Sequence, residues 1–367
     1  MTFLVRAASL LLTGTLLLGA GSSLMGRALQ PDPLPPIYYL TSTLAPPDQL
    51  IYQAHALDVQ SRLVADLGRP LALDNRLFDQ IAWSPDRAWI ALGGETSGLY
   101  LVNLARGAVQ PIAAQGVIDA PMVWSPDGRY LVYVAEAAAS PIQFQGQMAL
   151  WLLDRADGTR RELDRDPMQN ARLDWSPDGA QVVYVRFDGT QQSINLVSIA
   201  LDAKPSVLVM DGTDPAWSPD GEWIAYYGID DTDQEVYVIR PEGGQAQAVT
   251  RNSVQDVQPV WSPDGGWLSY LSARGSDLDV VVVPVNCLAD TLTCAPQPLT
   301  VNDVIESPFM WSPDGRYLLY RAFPSAAAPQ WLLLPTGCLD SAAGCAGVEP
   351  LPVPFPPTES VVGVAWG

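Results

Sequence analysis

The chain has very little with which to grip nucleic acid or to build a histidine-based site. Among 367 residues there is one histidine, His55, and one lysine, Lys204, and 20 basic residues stand against 40 acidic ones for a formal net charge of −20. Phosphate binding rests on clustered Lys and Arg, so nucleic acid is excluded as a partner. One histidine excludes histidine-ligated metal sites. It also leaves a Ser-His-Asp triad a single possible base, and that base alternates within Leu50 to Leu57 like an ordinary strand residue. No Gly-x-Ser-x-Gly elbow is present, and no βα alternation long enough for a hydrolase domain. Charged residues are only 16% of the chain, which excludes disorder and fits a β-protein whose strands are mostly buried. The acidity itself serves solubility or marks a chain that meets a basic or cationic ligand.

What the chain has in abundance is one phrase. Trp-Ser-Pro-Asp occurs at Trp83, Trp124, Trp175, Trp217, Trp261 and Trp311, at intervals of 41, 51, 42, 44 and 50 residues, and five of the six copies continue into Gly. That period is too long for leucine-rich or ankyrin units and suits a four-stranded propeller blade. Because blades share one closed ring, the chain reads as a single domain over residues 31–367.

The repeat around Trp217 shows the blade most cleanly. Pro215 to Ser218 reads as a short inner strand, Pro219-Asp220-Gly221 as a turn, Glu222 to Gly228 as a second strand, Glu235 to Arg240 as a third and Gln247 to Thr250 as the outer edge. Proline presets φ, aspartate accepts nearby backbone amides and glycine takes the positive φ that returns the chain. These aspartates are turn formers, and each Trp fills the gap between neighbouring blades. The first copy carries Arg87 in place of Gly.

Six motifs leave two remnants. Ile37 to Ser42, Leu50 to Leu57 and Arg62 to Leu67 match three strands of a blade without its Trp strand, and Ser360 to Gly367, with Trp366, is a Trp strand with nothing after it. The C-terminus is therefore expected to complete the N-terminal blade beside Tyr38 and Tyr39, hiding both open edges. The predicted fold is an all-β, seven-bladed propeller of four-stranded antiparallel blades.

Residues 1–30 read as a signal peptide or membrane anchor: Arg6 closes a short basic region, an apolar run follows, and Gly19 to Ser23 supply small residues for cleavage. The remainder is expected outside the cytoplasm, periplasmic, extracellular or anchored facing outward. The four cysteines agree with that compartment. Cys287 with Cys294 and Cys338 with Cys345 each have six residues between them at matching places in consecutive repeats, which favours two local disulfides over a metal site.

The run Pro215 to Tyr226, followed by Glu235-Val236-Tyr237-Val238 and Gly243-Gly244, resembles the WD-repeat-like unit of the TolB propeller family, and the match recurs from about Ile37 to Gly367. The resemblance implies a propeller and a habit of binding proteins in the cell envelope. The same repeat accompanies peptidases in other chains.

Five acidic residues precede the inner strands: Asp79, Asp119, Asp214, Asp256 and Glu306, at offsets of 4, 5, 3, 5 and 5 from the following Trp. At similar depth they would ring one mouth of the channel and bind a cation such as Ca²⁺ or a Lys/Arg-bearing segment of a partner. The alternative is that they are loop aspartates satisfying turn amides. A second cluster, Asp230, Asp231, Asp233 and Glu235, reads as a solvated hairpin. The expected function is a monomeric, non-enzymatic protein-binding or scaffolding module. The alternative is a carboxylate-dependent hydrolase or lyase acting on peptide or carbohydrate at the same mouth.

Overall fold

Each Trp-bearing strand opens a four-stranded antiparallel sheet, and there are seven such sheets. The computed structural model describes residues 34–366 except 46–48, 74–77, 79, 95–96, 114–121, 138–147, 166–171, 230–232, 276, 291–294, 301–304, 324–328, 340–344, 346–347 and 356–359. For 49, 289–290, 305–308, 360 and 362 it describes the backbone. The N-terminal segment, with its expected signal or anchor, lies outside the described residues. Among the described residues no helix is long and apolar enough to cross a membrane.

Blade 1 joins the two ends of the chain. Its inner strand, Ser360–Trp366, pairs antiparallel with Ile37–Ala45, setting Ile37 against Trp366, Tyr38 against Ala365 and Tyr39 against Val364. The expected latch is present. Blades 2 to 7 take their inner strands from Gln80–Trp83, Met122–Trp124, Asp174–Trp175, Gly212–Trp217, Asp256–Trp261 and Ile305–Trp311. Seven hydrophobic clusters fill the seven seams. The one that closes the ring packs Ile37, Tyr39, Leu57 and Trp366 of blade 1 on Leu319 and Leu333 of blade 7.

The repeated turn depends on its serine as much as on its proline. Ser84, Ser125, Ser176, Ser218, Ser262 and Ser312 are all buried. Each donates Oγ–H to the Asp two residues on at 2.5–2.6 Å. Each also accepts the amide five residues on at 2.9 Å. The Asp in turn accepts the amide two residues beyond itself at 2.9–3.1 Å. Arg87 takes the positive φ (55°) that glycine takes in the other copies. Its side chain explains its presence: Nη2 donates to the Trp366 carbonyl and the guanidinium lies 5.6 Å from the centre of the Tyr38 ring. An arginine here trades turn comfort for a clasp on the closing strand.

Several indoles also stitch the seams. Trp124, Trp175 and Trp261 donate Nε1–H to the carbonyls of Ala82, Val123 and Ala216, each the residue before the Trp of the preceding blade. In blade 7, Cys338 and Cys345 form a disulfide, with Cys345 packed in the cluster between blades 6 and 7. Cys287, in a 3-10 turn over Val285–Asp290, is disulfide-bonded. Its expected partner Cys294 lies outside the described residues.

Candidate functional site

The channel is organised by the residue three before each Trp. In blades 4, 5 and 6 these are Arg172, Asp214 and Gln258. Asp214 and Gln258 sit in β-bulges, where pairing skips from Thr213 to Ala216 and from Val257 to Val260, and both adopt positive φ, 48° and 55°. A bulge re-aims the backbone that follows it. Arg172 Nη1 donates to the Pro259 carbonyl at 3.2 Å, and the Arg172 amide donates to Asp214 Oδ1 at 3.3 Å. Blades 4 and 6 are not neighbours, so their inner strands meet only across the channel, and the Arg172 side chain therefore lies on it.

Asp174 stands beside this arginine. Its Oδ1 accepts the Trp175 amide and its Oδ2 the Trp217 amide, each at 2.9 Å, so one carboxylate ties the inner strands of blades 4 and 5. Burial pushes the carboxyls of Asp174 and Asp214 above the usual range, and the positive charge of Arg172 pulls both part of the way back. The Tyr227 hydroxyl is pushed up to about 12 by burial and by the charge of Asp214.

A second acidic centre lies in the seam of blades 5 and 6. Glu235 and Asp256 are both fully buried, at 0% exposure. Asn252 holds them together: its amide donates to Glu235 Oε1 and its Nδ2 to Asp256 Oδ2, each at 2.6 Å. Glu235 Oε2 and Asp256 Oδ1 meet no partner at full hydrogen-bond geometry, while the side chain of Thr250 beside both carboxyls and that of Ser272 beside Asp256 offset part of the effect of burial. Burial raises the pKa of both, and each feels the nearby Asp233. Asn252 also lines a surface recess of about 460 Å³ with Tyr237, Ala248 and Arg251, so solvent reaches the bridging amide while its two carboxyl partners stay covered.

The structure thus separates the acidic residues singled out by sequence. Asp256 pairs with Ser272 and Glu306 with Ala322, four residues beyond the partners of Trp261 and Trp311, Leu268 and Leu318, so these two share a level. Asp214 lies inside its bulge, two positions nearer its Trp, and faces Arg172. Asp256 points into the seam. The side chain of Glu306 and the whole of Asp79 and Asp119 lie outside the described residues, as do Asp230 and Asp231. Glu235 corrects the expectation of a solvated hairpin: as the second residue of the strand Gln234–Ile239 it turns inward. Arg172 and Asp174 are not among the residues that the sequence singles out. The available signal is Asp174 at the position just before a Trp, where the other six strands carry Ala, Val or Met, and Arg172 three before it, where only Asp214 among the others is charged.

His55 bears the outline of a triad. Its Nδ1 lies 2.9 Å from Asp66 Oδ1 and its Nε2 2.9 Å from Thr41 Oγ1, and its ring stacks on Tyr39 at 4.7 Å. The exposures run the wrong way for a nucleophile, since Thr41 is 1% exposed while the Asp66 side chain is 71% exposed. A buried hydroxyl cannot meet substrate, and the three residues act as a cross-strand hydrogen-bond ladder.

Residues 146–325 match the TolB beta propeller domain family. No curated protein sequence matches the chain. Among solved structures, a TolB from Agrobacterium tumefaciens is similar at 20% identity, covering 79% of this chain and 99% of that one with a TM-score of 0.50. The beta-propeller domain of the Trilobed protease from Pyrococcus furiosus, described as having an open velcro topology, is similar at 11% identity, covering 81% and 89% with a TM-score of 0.58. An oligogalacturonate lyase in complex with manganese is similar at 14% identity, covering 78% and 85% with a TM-score of 0.57. Likeness at these identities is likeness of fold.

Proposed function

We propose that this chain, whose repeats are those of the TolB beta-propeller family, is an exported protein-binding module of the cell envelope that receives a basic segment of its partner at the channel mouth over blades 4 to 6. The observation that carries the reading is Asp214, whose Oδ1 accepts the backbone amide of the channel-crossing Arg172, in a chain with net charge −20. Such a mouth concentrates cationic groups and steers their approach. Exposed apolar side chains at the same end of blades 4 to 6, Phe187, Met210, Ile229 and Val254, add the kind of surface a protein partner covers. Export is supported by the apolar N-terminal run and by the disulfides.

The second reading, a carboxylate-dependent hydrolase or lyase, draws on the same raised carboxyls, because a general acid needs a carboxyl that stays protonated near neutrality. Against it, both oxygens of Asp174 are committed to backbone amides, and the Glu235–Asp256 pair is closed off from any substrate. A divalent cation such as Ca²⁺ is the rival ligand for the mouth.

Calorimetric titration of the protein with an arginine- and lysine-rich peptide, and separately with Ca²⁺, tests the proposal. The expected outcome is saturable, salt-weakened peptide binding that Asp214→Asn reduces about tenfold or more, the size of a lost buried charge partner. No heat with the peptide, or heat unaffected by the substitution, would overturn it.

A further inference from the structure

A sheet that ends in water offers its last strand to any chain able to pair with it, and six of the seven blades are guarded against this. The outer strand of blade 2, Ala108–Ala113, carries Pro111. That of blade 3, Arg160–Arg165, is charged at five of its six positions. In blade 4 the outer strand Ser206–Met210 is broken at its middle by a bulge that skips Leu208. The outer strands of blades 5, 6 and 7 are only two residues long.

Blade 1 differs over Leu63–Leu67, which has one charge and no proline. These five residues pair without a break with Asp58–Ala54, and no strand pairs with their outer side among the described residues. Leu63 is 69% and Val64 42% exposed. A bulge over Gly68 to Pro70 ends the regular stretch, and a Cβ on Gly68 would lie 2.0 Å from the Leu104 carbonyl oxygen of blade 2. Beyond Leu67 the strand therefore leans on its neighbour, and before it the edge is open.

The charges along this edge make it complementary to itself. An antiparallel pair of copies with its twofold at Val64 sets Val64 against Val64, Leu63 against Ala65 and Arg62 against Asp66, with the last two contacts made twice. Arg62 is exposed and has no carboxylate partner among the described residues. The Asp66 side chain is 71% exposed, with Oδ1 on His55. Opposite charges facing one another across strands stabilise the pairing, and like charges oppose it. Moving the twofold to Ala65 sets Asp66 against Val64, and moving it to Asp66 sets the two aspartates together, so the charges select the register centred on Val64.

We propose that blade 1 pairs through Leu63–Leu67 with the same strand of a second copy of this chain, continuing one four-stranded sheet into the other. Backbone hydrogen bonds supply the ladder and the Arg62–Asp66 pairs fix its register. The edge lies three strands out from the channel, so both mouths stay free and one particle presents two of them, which strengthens the hold on a partner with two binding segments. The dimer is independent of what the mouth binds, and it takes the place of the monomer expected from the sequence.

Sedimentation velocity of the full chain over a concentration series, compared with Arg62→Glu and Val64→Lys, tests the pairing. Wild type is expected to pass from monomer to dimer as concentration rises. Each substitution sets like charges face to face, Arg62→Glu in two symmetric pairs and Val64→Lys on the twofold, and each is expected to weaken the dimer about tenfold or more. Arg62→Glu combined with Asp66→Lys reverses the charge pair and should recover association. Thermal melts establish that each variant is folded, and hydrogen exchange on the wild type needs no variant: the amides of 63–67 should exchange more slowly at high concentration than at low. A wild type that stays at the monomer mass throughout overturns the proposal. So does self-association that survives both substitutions, as association through the apolar N-terminal run would, or concentration-dependent protection that spares 63–67.

Discussion

Two groups of carboxyls in this propeller respond to pH in opposite senses. Hydrogen bonds from Ser125, Ser176 and Ser262 hold the carboxyls of Asp127, Asp178 and Asp264 below the usual range. A depressed folded pKa gives stability that is present above the unfolded value of about 4 and is lost as pH falls through the folded value. Burial raises Glu235 and Asp256 instead. Their stability is fully present below about pH 4 and is lost as pH rises through the folded value. The groups facing this pair are Asp233, Tyr270 and, beyond Tyr270, Arg274. Glu235→Gln keeps an oxygen for the Asn252 amide and removes the charge. It is therefore expected to raise the melting temperature at pH 7.5 and to leave it unchanged at pH 4. A lowered melting temperature at both values would show that the ionised form is what the seam needs.

At the scale of the strand and its seam, the seven Trp residues look alike in sequence and differ in what they do. Trp261 donates its indole N–H to the Ala216 carbonyl at 3.0 Å, while the indole nitrogens of Trp83, Trp217 and Trp366 have no partner. Replacing Trp261 by Phe removes a hydrogen bond to a buried carbonyl, whereas replacing Trp217 by Phe removes an already unpaired donor. Trp261→Phe is expected to cost about 1 kcal/mol more than Trp217→Phe in denaturant unfolding. Equal losses would mean that ring volume alone sets the contribution of the position. The existence of the seams was legible in the sequence because each depends on a Trp and a turn close together in the chain. The seam partners were not, since Glu235 is capped by Asn252, 17 residues away, and the inward turn of Glu235 follows from strand register that a run of acidic residues conceals.

For the whole molecule, the count of seven and the closing strand could be read from the two incomplete remnants at the chain ends, because an open sheet edge demands a partner. The channel contents could not. Arg172 meets Pro259 across 87 residues, and their meeting depends on bulges at Asp214 and Gln258 that insert a residue without leaving a mark in the Trp spacing. The acidic residues selected by offset alone therefore divide between two centres, Asp214 on the channel and Asp256 in a seam. Ring closure fixes which blades face one another and so makes three separate inner strands into one rim. The account's central claim is that this rim, on the face where inner strands begin, meets the partner. Hydrogen-exchange mass spectrometry of the full chain with and without a saturating arginine-rich peptide tests it most directly. Slowed exchange confined to the starts of the inner strands of blades 4 to 6, around 172–175, 212–217 and 256–261, is the predicted result; protection centred on the Ser-Pro-Asp turns of the opposite face would contradict it.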